Sequence, residues 1–229
     1  MDKETIEEKI KTTLEWAYVK ALEPGVPVVD SAEELAEQFL RANGTLDEQV
    51  NALIRWQNAK TAANGFVGGV AGLLLLPVTL PANTVCGLFL QIRMIAAIAI
   101  MGEYDVKDEK VKTLVFACLC GNMVKDMFVD VGVQAGVKFT QQMIQKVPLE
   151  VFKKINKAVG FRLMTKFGER GGLGLVKAVP IAGGIIGGAD DAVVTNVIGK
   201  VAKEMFIHHQ FSSQQSEMFQ GARGTANPW

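Results

Sequence analysis

The sequence predicts an all-α fold: a multi-helix bundle that includes Gly-rich, Pro-broken apolar helical hairpins. Three observations predict it. Apolar residues recur at helical spacing, two Ser/Thr-x-x-Glu capping boxes precede such runs, and no segment alternates strictly between apolar and polar residues as a half-buried strand does. The 229 residues are 49% hydrophobic, which excludes a disordered chain and provides a core for one large domain or two small ones.

Three amphipathic helices are predicted before residue 64. The first covers residues 4–23 and ends before the proline-containing segment 24–27. The capping box of Ser31 and Glu34 opens the second helix, and the capping box of Thr45 and Glu48 opens the third. The apolar face of the first helix consists of Ile6, Ile10, Leu14, Ala17 and Ala21.

An apolar hairpin is predicted over residues 61–101. Residues 61–92 contain no charged side chain and no histidine. Within this apolar run, Pro77 and Pro81 separate the first arm of the hairpin from a second apolar helix over residues 82–101. Each arm is long enough to approach the bilayer's hydrocarbon thickness of about 30 Å. The hairpin therefore either contacts a membrane or is buried in a soluble bundle. The residues expected to contact lipid are Phe66, Leu73, Leu74, Leu75, Leu76, Leu88 and Phe89.

Small residues and isolated charges mark the places where the apolar helices are expected to pack. A true membrane span would place Arg93 in hydrocarbon at a cost of about 2.5–3.5 kcal/mol, so a shallow hairpin or burial is favoured. We expect Arg93 and Asp190 to be buried charges that need a partner, with some such pairing joining the Gly-rich hairpins. Close helix packing, within one chain or between two copies in a homo-oligomer, is expected at Gly68, Gly72, Gly184 and Gly188.

Charge is distributed unevenly although the chain's net charge is zero. Residues 1–50 carry a net charge of −7, and residues 146–177 carry +6. The overall balance argues against a nucleic-acid binder. The basic segment, residues 146–177, is expected either to touch an anionic membrane surface or to pair with the acidic head, residues 1–50. Its candidate residues are Lys153, Lys154, Lys157, Arg162 and Lys166.

The second half of the chain reads as further helices. A long helical stretch over residues 110–147 is expected to be interrupted or bent near Gly121, Gly132 and Gly136, and Pro148 is well placed to open a helix over residues 149–167. The Gly-rich residues 168–174 follow a helix and lack a phosphate-loop ending, so they predict a hinge. The expected organisation is an acidic N-terminal helix (1–30), a helical domain (31–208) and a disordered tail (209–229).

Little in the sequence indicates catalysis, and we expect no cofactor and no metal. His208 and His209 end the last helix, where a positive charge suits the helix dipole. The pair Asp126 and Asp130 and the pair Asp190 and Asp191 could hold a metal, but a solvated helix face and a helix N-cap explain them better. The three cysteines, Cys86, Cys118 and Cys120, are expected to be buried free thiols in a reducing cytosol. Acids near the N-terminus argue against an export signal.

Several stretches, taken together and in order, resemble the EcsC protein family. They are residues 53–60 (LIRWQNAK), the Gly-rich stretch with its break at residues 76–81 (LPVTLP), residues 91–99 (QIRMIAAIA), residues 159–169 (VGFRLMTKFGE) and the small-residue ending over residues 179–203. The resemblance covers most of residues 30–207. It implies a helical, bacterial, cytoplasmic or membrane-associated protein, and it carries over no catalytic residue.

These observations together predict a non-enzymatic, membrane-associated helical protein at the cytoplasmic face of the membrane. Its expected partner is a membrane surface or a membrane protein, such as a transporter that it assists. The alternatives are a soluble helical module that binds a partner protein and, with less support, a metal-assisted hydrolase that uses the aspartates.

Overall fold

A computed structural model describes residues 3–24, 29–62, 82–124, 128, 140–168 and 190–208. Side chains are described over residues 8–24, 29–60, 85–124, 144–161 and 192–208 and at positions 128, 140 and 142. Within these ranges the chain is all-α, as predicted, with eight α-helices and no strand. In chain order they are α1 (Lys3–Leu22), α2 (Ala32–Leu40), α3 (Leu46–Ala62), α4 (Ala82–Met101), α5 (Glu109–Cys118), α6 (Gln141–Lys146), α7 (Leu149–Gly168) and α8 (Asp190–Phe206).

Both predicted capping boxes are present at the N-termini of α2 and α3. The Ser31 amide donates to Glu34 Oε2 over 2.7 Å, while the Glu34 amide donates to Ser31 Oγ over 3.2 Å. The Thr45 amide likewise donates to Glu48 Oε2 at 2.8 Å, and the Glu48 amide donates to Thr45 Oγ1 at 3.3 Å. These reciprocal bonds satisfy amides that the first helical turn leaves unpaired, so they fix where each helix begins.

The helix α4 is the central element of the core. Helices α1, α2, α3, α5 and α8 all pack against it, and nearly every side chain between Val85 and Met101 is buried or half-buried. Because α4 is apolar all round apart from a few polar positions, it can contact neighbours in every direction. Its observed bounds agree with the second apolar helix predicted from the sequence.

The first arm of the predicted hairpin and several other expected sites lie outside the described residues. This applies to Phe66, to Leu73, Leu74, Leu75 and Leu76, to the glycines Gly68, Gly72, Gly184 and Gly188, to Asp126 and Asp130, to the expected hinge and to residues 209–229.

The long helical stretch predicted from residue 110 is interrupted early. Helix α5 ends at Cys118, and a short 3-10 turn follows over Gly121–Met123. Gly121 has a φ of +59°, a conformation that only glycine adopts at little cost, so an interruption falls at the first of the three predicted positions. The other two, Gly132 and Gly136, lie outside the described residues. Gly121 is buried, and a Cβ there would lie 3.3 Å from Val197 Cγ1 of α8.

Lys110 holds the corner between α6 and α7. Its ammonium donates to the carbonyls of Ile144, Gln145 and Val147 at 3.3, 2.8 and 3.0 Å. These carbonyls lie at the C-terminal end of α6 and just beyond it, where the helix supplies few further amides. The Ile144 carbonyl also accepts from the Val147 amide at 3.2 Å, and a cation at this end complements the helix dipole. Lys110 therefore fixes the direction in which α7 leaves the corner at Pro148.

We expect Lys110→Met to lower the free energy of unfolding by about 1–2 kcal/mol, because it removes the charge-assisted hydrogen bonds to the carbonyls of this corner. Urea unfolding would measure the loss. Lys107→Met is the matched control, since Lys107 is exposed and lies three residues earlier in the chain, in the turn that precedes α5. Equal stability losses in the two variants would contradict a specific role for Lys110.

Candidate functional site

Two groups of residues carry the chemistry that the sequence singles out: a buried arginine in α4 and an exposed basic face on α7. Arg93 lies in α4, whose side chains between Val85 and Met101 are buried or half-buried. Leu88 is 2% exposed and Phe89 is 1% exposed. In this conformation, therefore, neither forms a lipid-facing surface. This corrects the expectation for these two residues, and the physical reason is that α1, α2, α3 and α8 surround α4.

Arg93 is a buried charge, as expected, with an exposed fraction of 0%. Its guanidinium joins three segments of the chain. Nη1 donates to the Asp30 carbonyl at 2.9 Å, and Nη2 donates to Gln57 Oε1 at 3.1 Å. The Asp30 carbonyl precedes α2, and Gln57 lies in α3, so Arg93 fastens both to α4.

The guanidinium is incompletely compensated. Among the described side chains, no carboxylate lies within 4 Å of Arg93, and its Nε is buried without a hydrogen-bond partner. Burial lowers the pKa of Arg93 to about 10, an effect that the negative charge of Asp30 partly offsets. The residue remains charged at neutral pH and therefore depends on its oxygen partners.

An aromatic ring lies beside this charge. The Trp56 ring centroid is 5.7 Å from Arg93 Cζ and 3.8 Å from Lys60 Nζ, and both distances suit cation–π attraction. Partial burial, and secondarily the charge of Arg93, lowers the pKa of Lys60. Two cations thus share one indole, an arrangement that positions helices but supplies no nucleophile.

The expected partner of Arg93, Asp190, begins α8, but its side chain lies outside the described residues. The residue that sequence reasoning missed is Gln57, which is fully buried. The signal was present in the sequence, because residue 57 continues the buried face of Val50, Leu53 and Ile54 in α3. A polar residue on an apolar helix face requires a buried partner.

The lysines of α7 lie on a solvent-facing surface. Lys153, Lys154 and Lys157 are all exposed, whereas Phe152, Ile155 and Val159 of the same helix are buried. Lys153 pairs with Glu150 at 2.8 Å, in its own helix. Among the described side chains, none of these three lysines forms an ion pair with the acidic head. Arg162 and Lys166 belong to α7, but their side chains lie outside the described residues.

A shallow surface depression lies between α1 and α5, with a volume of about 360 Å³. Tyr18, Val19 and Leu22 line one side, and Glu109 and Lys112 line the other. The Tyr18 hydroxyl donates to the Val106 carbonyl at 2.6 Å, so it is committed to holding the fold. Lys112 bridges Glu15 at 2.5 Å and Glu109 at 3.3 Å.

The histidine and cysteine positions agree with structural roles. His208 Nε2 lies 2.8 Å from Asp47 Oδ1, and Lys203 Nζ lies 2.6 Å from the same atom. This partly exposed cluster joins α8 to α3, and the hydrogen bonds from Lys203 and His208 lower the pKa of Asp47. All three cysteines are buried free thiols, as predicted. Burial raises the pKa of Cys118 well above its ordinary value, which disfavours a reactive thiolate.

The described part of the chain contains no group of three or more His, Cys, Asp or Glu side chains placed to hold a metal ion. Within the same ranges, no helix combines the length and the apolar character needed to cross a bilayer. No family model matches the chain, and no curated protein and no solved structure matches it either.

Proposed function

We propose that this chain is a non-enzymatic, membrane-associated helical protein of the EcsC family. It acts at the cytoplasmic face of the membrane as an accessory to a transporter or to another envelope process. The observation that carries the proposal is the solvent-facing row of Lys153, Lys154 and Lys157 on α7. Family membership rests on the sequence stretches described above.

An anionic lipid surface explains this row of lysines better than pairing with the acidic head. Their only described ion pair is the one between Lys153 and Glu150, so most of their charge faces solvent. Lys and Arg side chains close to an anionic leaflet each contribute about 1 kcal/mol of attraction at low salt. Three neighbouring lysines therefore support a weak association that depends on salt concentration.

The burial of α4 changes which part of the chain is proposed to touch the membrane. Insertion of the hairpin over residues 61–101 would require Leu88 and Phe89 to leave the core, where both are almost fully buried. That state would also separate α4 from its neighbouring helices and break the hydrogen bonds of the buried Arg93, whose charge is costly in hydrocarbon. We therefore assign the contact to α7, which is already exposed.

Membrane fractionation at low and high salt tests the proposal. We expect the protein to sediment with membranes at low salt and to be released by high salt, since screening removes the lysine contribution. Sedimentation that survives high salt would assign the contact to the apolar hairpin instead of to α7. A protein that stays in the supernatant at low salt would contradict membrane association.

A second candidate is a soluble helical module that binds a partner protein. The observation in its favour is the depression between α1 and α5, whose rim includes the exposed Val19. A monodisperse protein that ignores lipid at every salt concentration would favour this function over the first. A metal-assisted hydrolase has less support, because a solvated helix face and a helix N-cap explain the aspartates better.

A further inference from the structure

The exposed side of α7 combines charge with large apolar side chains. We define the docking face by five exposed residues of this helix: Leu149, Lys153, Lys154, Lys157 and Phe161. Leu149 is 63% exposed and Phe161 is 57% exposed, values unusual for large apolar side chains in a helix with a well-packed opposite side. We propose that the docking face lies flat on an anionic bilayer, with its lysines at the lipid phosphates and its two apolar residues in the interface.

The register of the helix places these five residues together. At 100° per residue they occupy an arc of roughly 140°, with Leu149 at one edge and Lys154 at the other. At a rise of 1.5 Å per residue, Leu149 and Phe161 are separated by roughly 18 Å along the axis. The lysines therefore lie between two apolar side chains, one near each end of the face.

The opposite side of α7 is already occupied. Phe152, Ile155 and Val159 are buried where α7 packs against α5 and α1, and Asn156 Nδ2 donates to Thr113 Oγ1 of α5 at 3.2 Å. The docking face thus points away from the core, and Lys110 fixes the corner from which α7 begins. A flat contact requires no rearrangement of the fold.

The composition of the face matches a lipid surface. Interfacial helices bury an apolar side just below the headgroups while basic residues contact the anionic phosphates. The lysines of the docking face and Glu150 together carry a net charge of +2. Lysine is a flexible point charge that needs no fixed bidentate partner, so the expected recognition is of surface charge and not of one headgroup. This inference rests on the proposed membrane association and names its partner and its contact residues.

Vesicle co-sedimentation of the full chain tests the inference. The probes are phosphatidylcholine vesicles with and without phosphatidylserine, and the variants are Lys153→Gln/Lys154→Gln/Lys157→Gln and Leu149→Ser/Phe161→Ser. We expect the unsubstituted protein to prefer the phosphatidylserine vesicles. The lysine variant should bind them about 100-fold more weakly, at roughly five-fold per lysine. The apolar variant should bind about 10-fold more weakly, because partial burial of two large side chains is lost.

Matched controls come from α8, whose main packing partners are α3 and α4. Val193 and Lys200 are exposed there, so Val193→Ser and Lys200→Gln change apolarity and charge away from the docking face. We expect each to bind within two-fold of the unsubstituted protein. Circular dichroism should show unchanged helix content in all variants, because every substituted residue is exposed.

The possible failures are distinguishable. If the unsubstituted protein binds neither vesicle, both the inference and the membrane association are overturned. If the protein binds but the α7 variants bind as tightly as the α8 controls, the docking face is wrong while membrane association stands. If only the lysine variant loses binding, the contact is purely electrostatic, and insertion of Leu149 and Phe161 is overturned.

Discussion

Gln57→Leu is expected to lower the free energy of unfolding by about 2–3 kcal/mol, although it replaces a buried polar residue by an apolar one of similar size. The loss arises at Arg93, whose Nη2 donates to Gln57 Oε1 at 3.1 Å. A hydrogen bond to a buried charge contributes more than a neutral one, and its removal leaves the charge without compensation. Urea unfolding with a common slope for both proteins would measure the difference.

The double variant Gln57→Leu/Arg93→Met is the control for this prediction. Once the guanidinium is removed, the leucine side chain introduced in α3 leaves no charge unpaired. The double variant should therefore be more stable than Gln57→Leu alone by about 1–2 kcal/mol. Arg93→Met alone completes the cycle, which isolates the coupling between the two side chains. Additive losses in the double variant would show that Gln57 does not compensate the charge.

The sequence predicts the helices well wherever their ends are set locally. The capping boxes at Ser31 and Thr45 depend only on residues three positions apart, and both are present. The same holds for the start of α7, where Pro148 comes directly before the first helical residue. Signals of this kind need no knowledge of tertiary packing.

The surroundings of α4 could not be predicted in the same way. An apolar helix of about 20 residues has the same pattern whether lipid or other helices surround it. The structure places other helices around Leu88 and Phe89. The partners of Arg93 lie 63 and 36 positions away in the sequence, and no periodicity connects residues at such separations.

The exposed residues of α7 and the closely packed glycines also depend on tertiary packing, which the local sequence does not show. The basic character of α7 is visible in composition, but the exposure of Leu149 and Phe161 depends on which side of α7 packs against α5. Close approach at a glycine is predicted for the Gly-rich stretches, yet within the described residues it occurs at Gly102, just after α4, and at Gly199, inside α8. A Cβ on Gly199 would lie 2.9 Å from Ile54 Cγ1 of α3. An isolated glycine inside a helix is the signal that could have indicated this position.

We expect Gly102→Ala to lower the free energy of unfolding by about 3 kcal/mol, which is the upper end of the range for overpacking. Gly102 follows α4 at the point where this helix meets the end of α8. A Cβ there would overlap the Phe206 carbonyl oxygen and lie 3.1 Å from the Phe206 carbonyl carbon. Since the obstacle is backbone, no side-chain rotation relieves it. The left-handed position at this helix end belongs to Glu103, with a φ of +64°, so Gly102 is needed for space.

Gly87→Ala provides a control with the opposite sign. Gly87 lies inside α4, and a Cβ there would have no atom of the described residues within 4 Å. Alanine loses less backbone entropy on folding than glycine, so this substitution should raise the free energy of unfolding by about 0.5–1 kcal/mol. Thermal unfolding of both variants compares the same substitution at two positions, one inside α4 and one directly after its C-terminal end. A stabilised Gly102→Ala variant would show that the ends of α4 and α8 separate easily. The edge-to-face contact between Tyr104 and Phe206, whose ring centroids lie 5.0 Å apart, argues against such a separation.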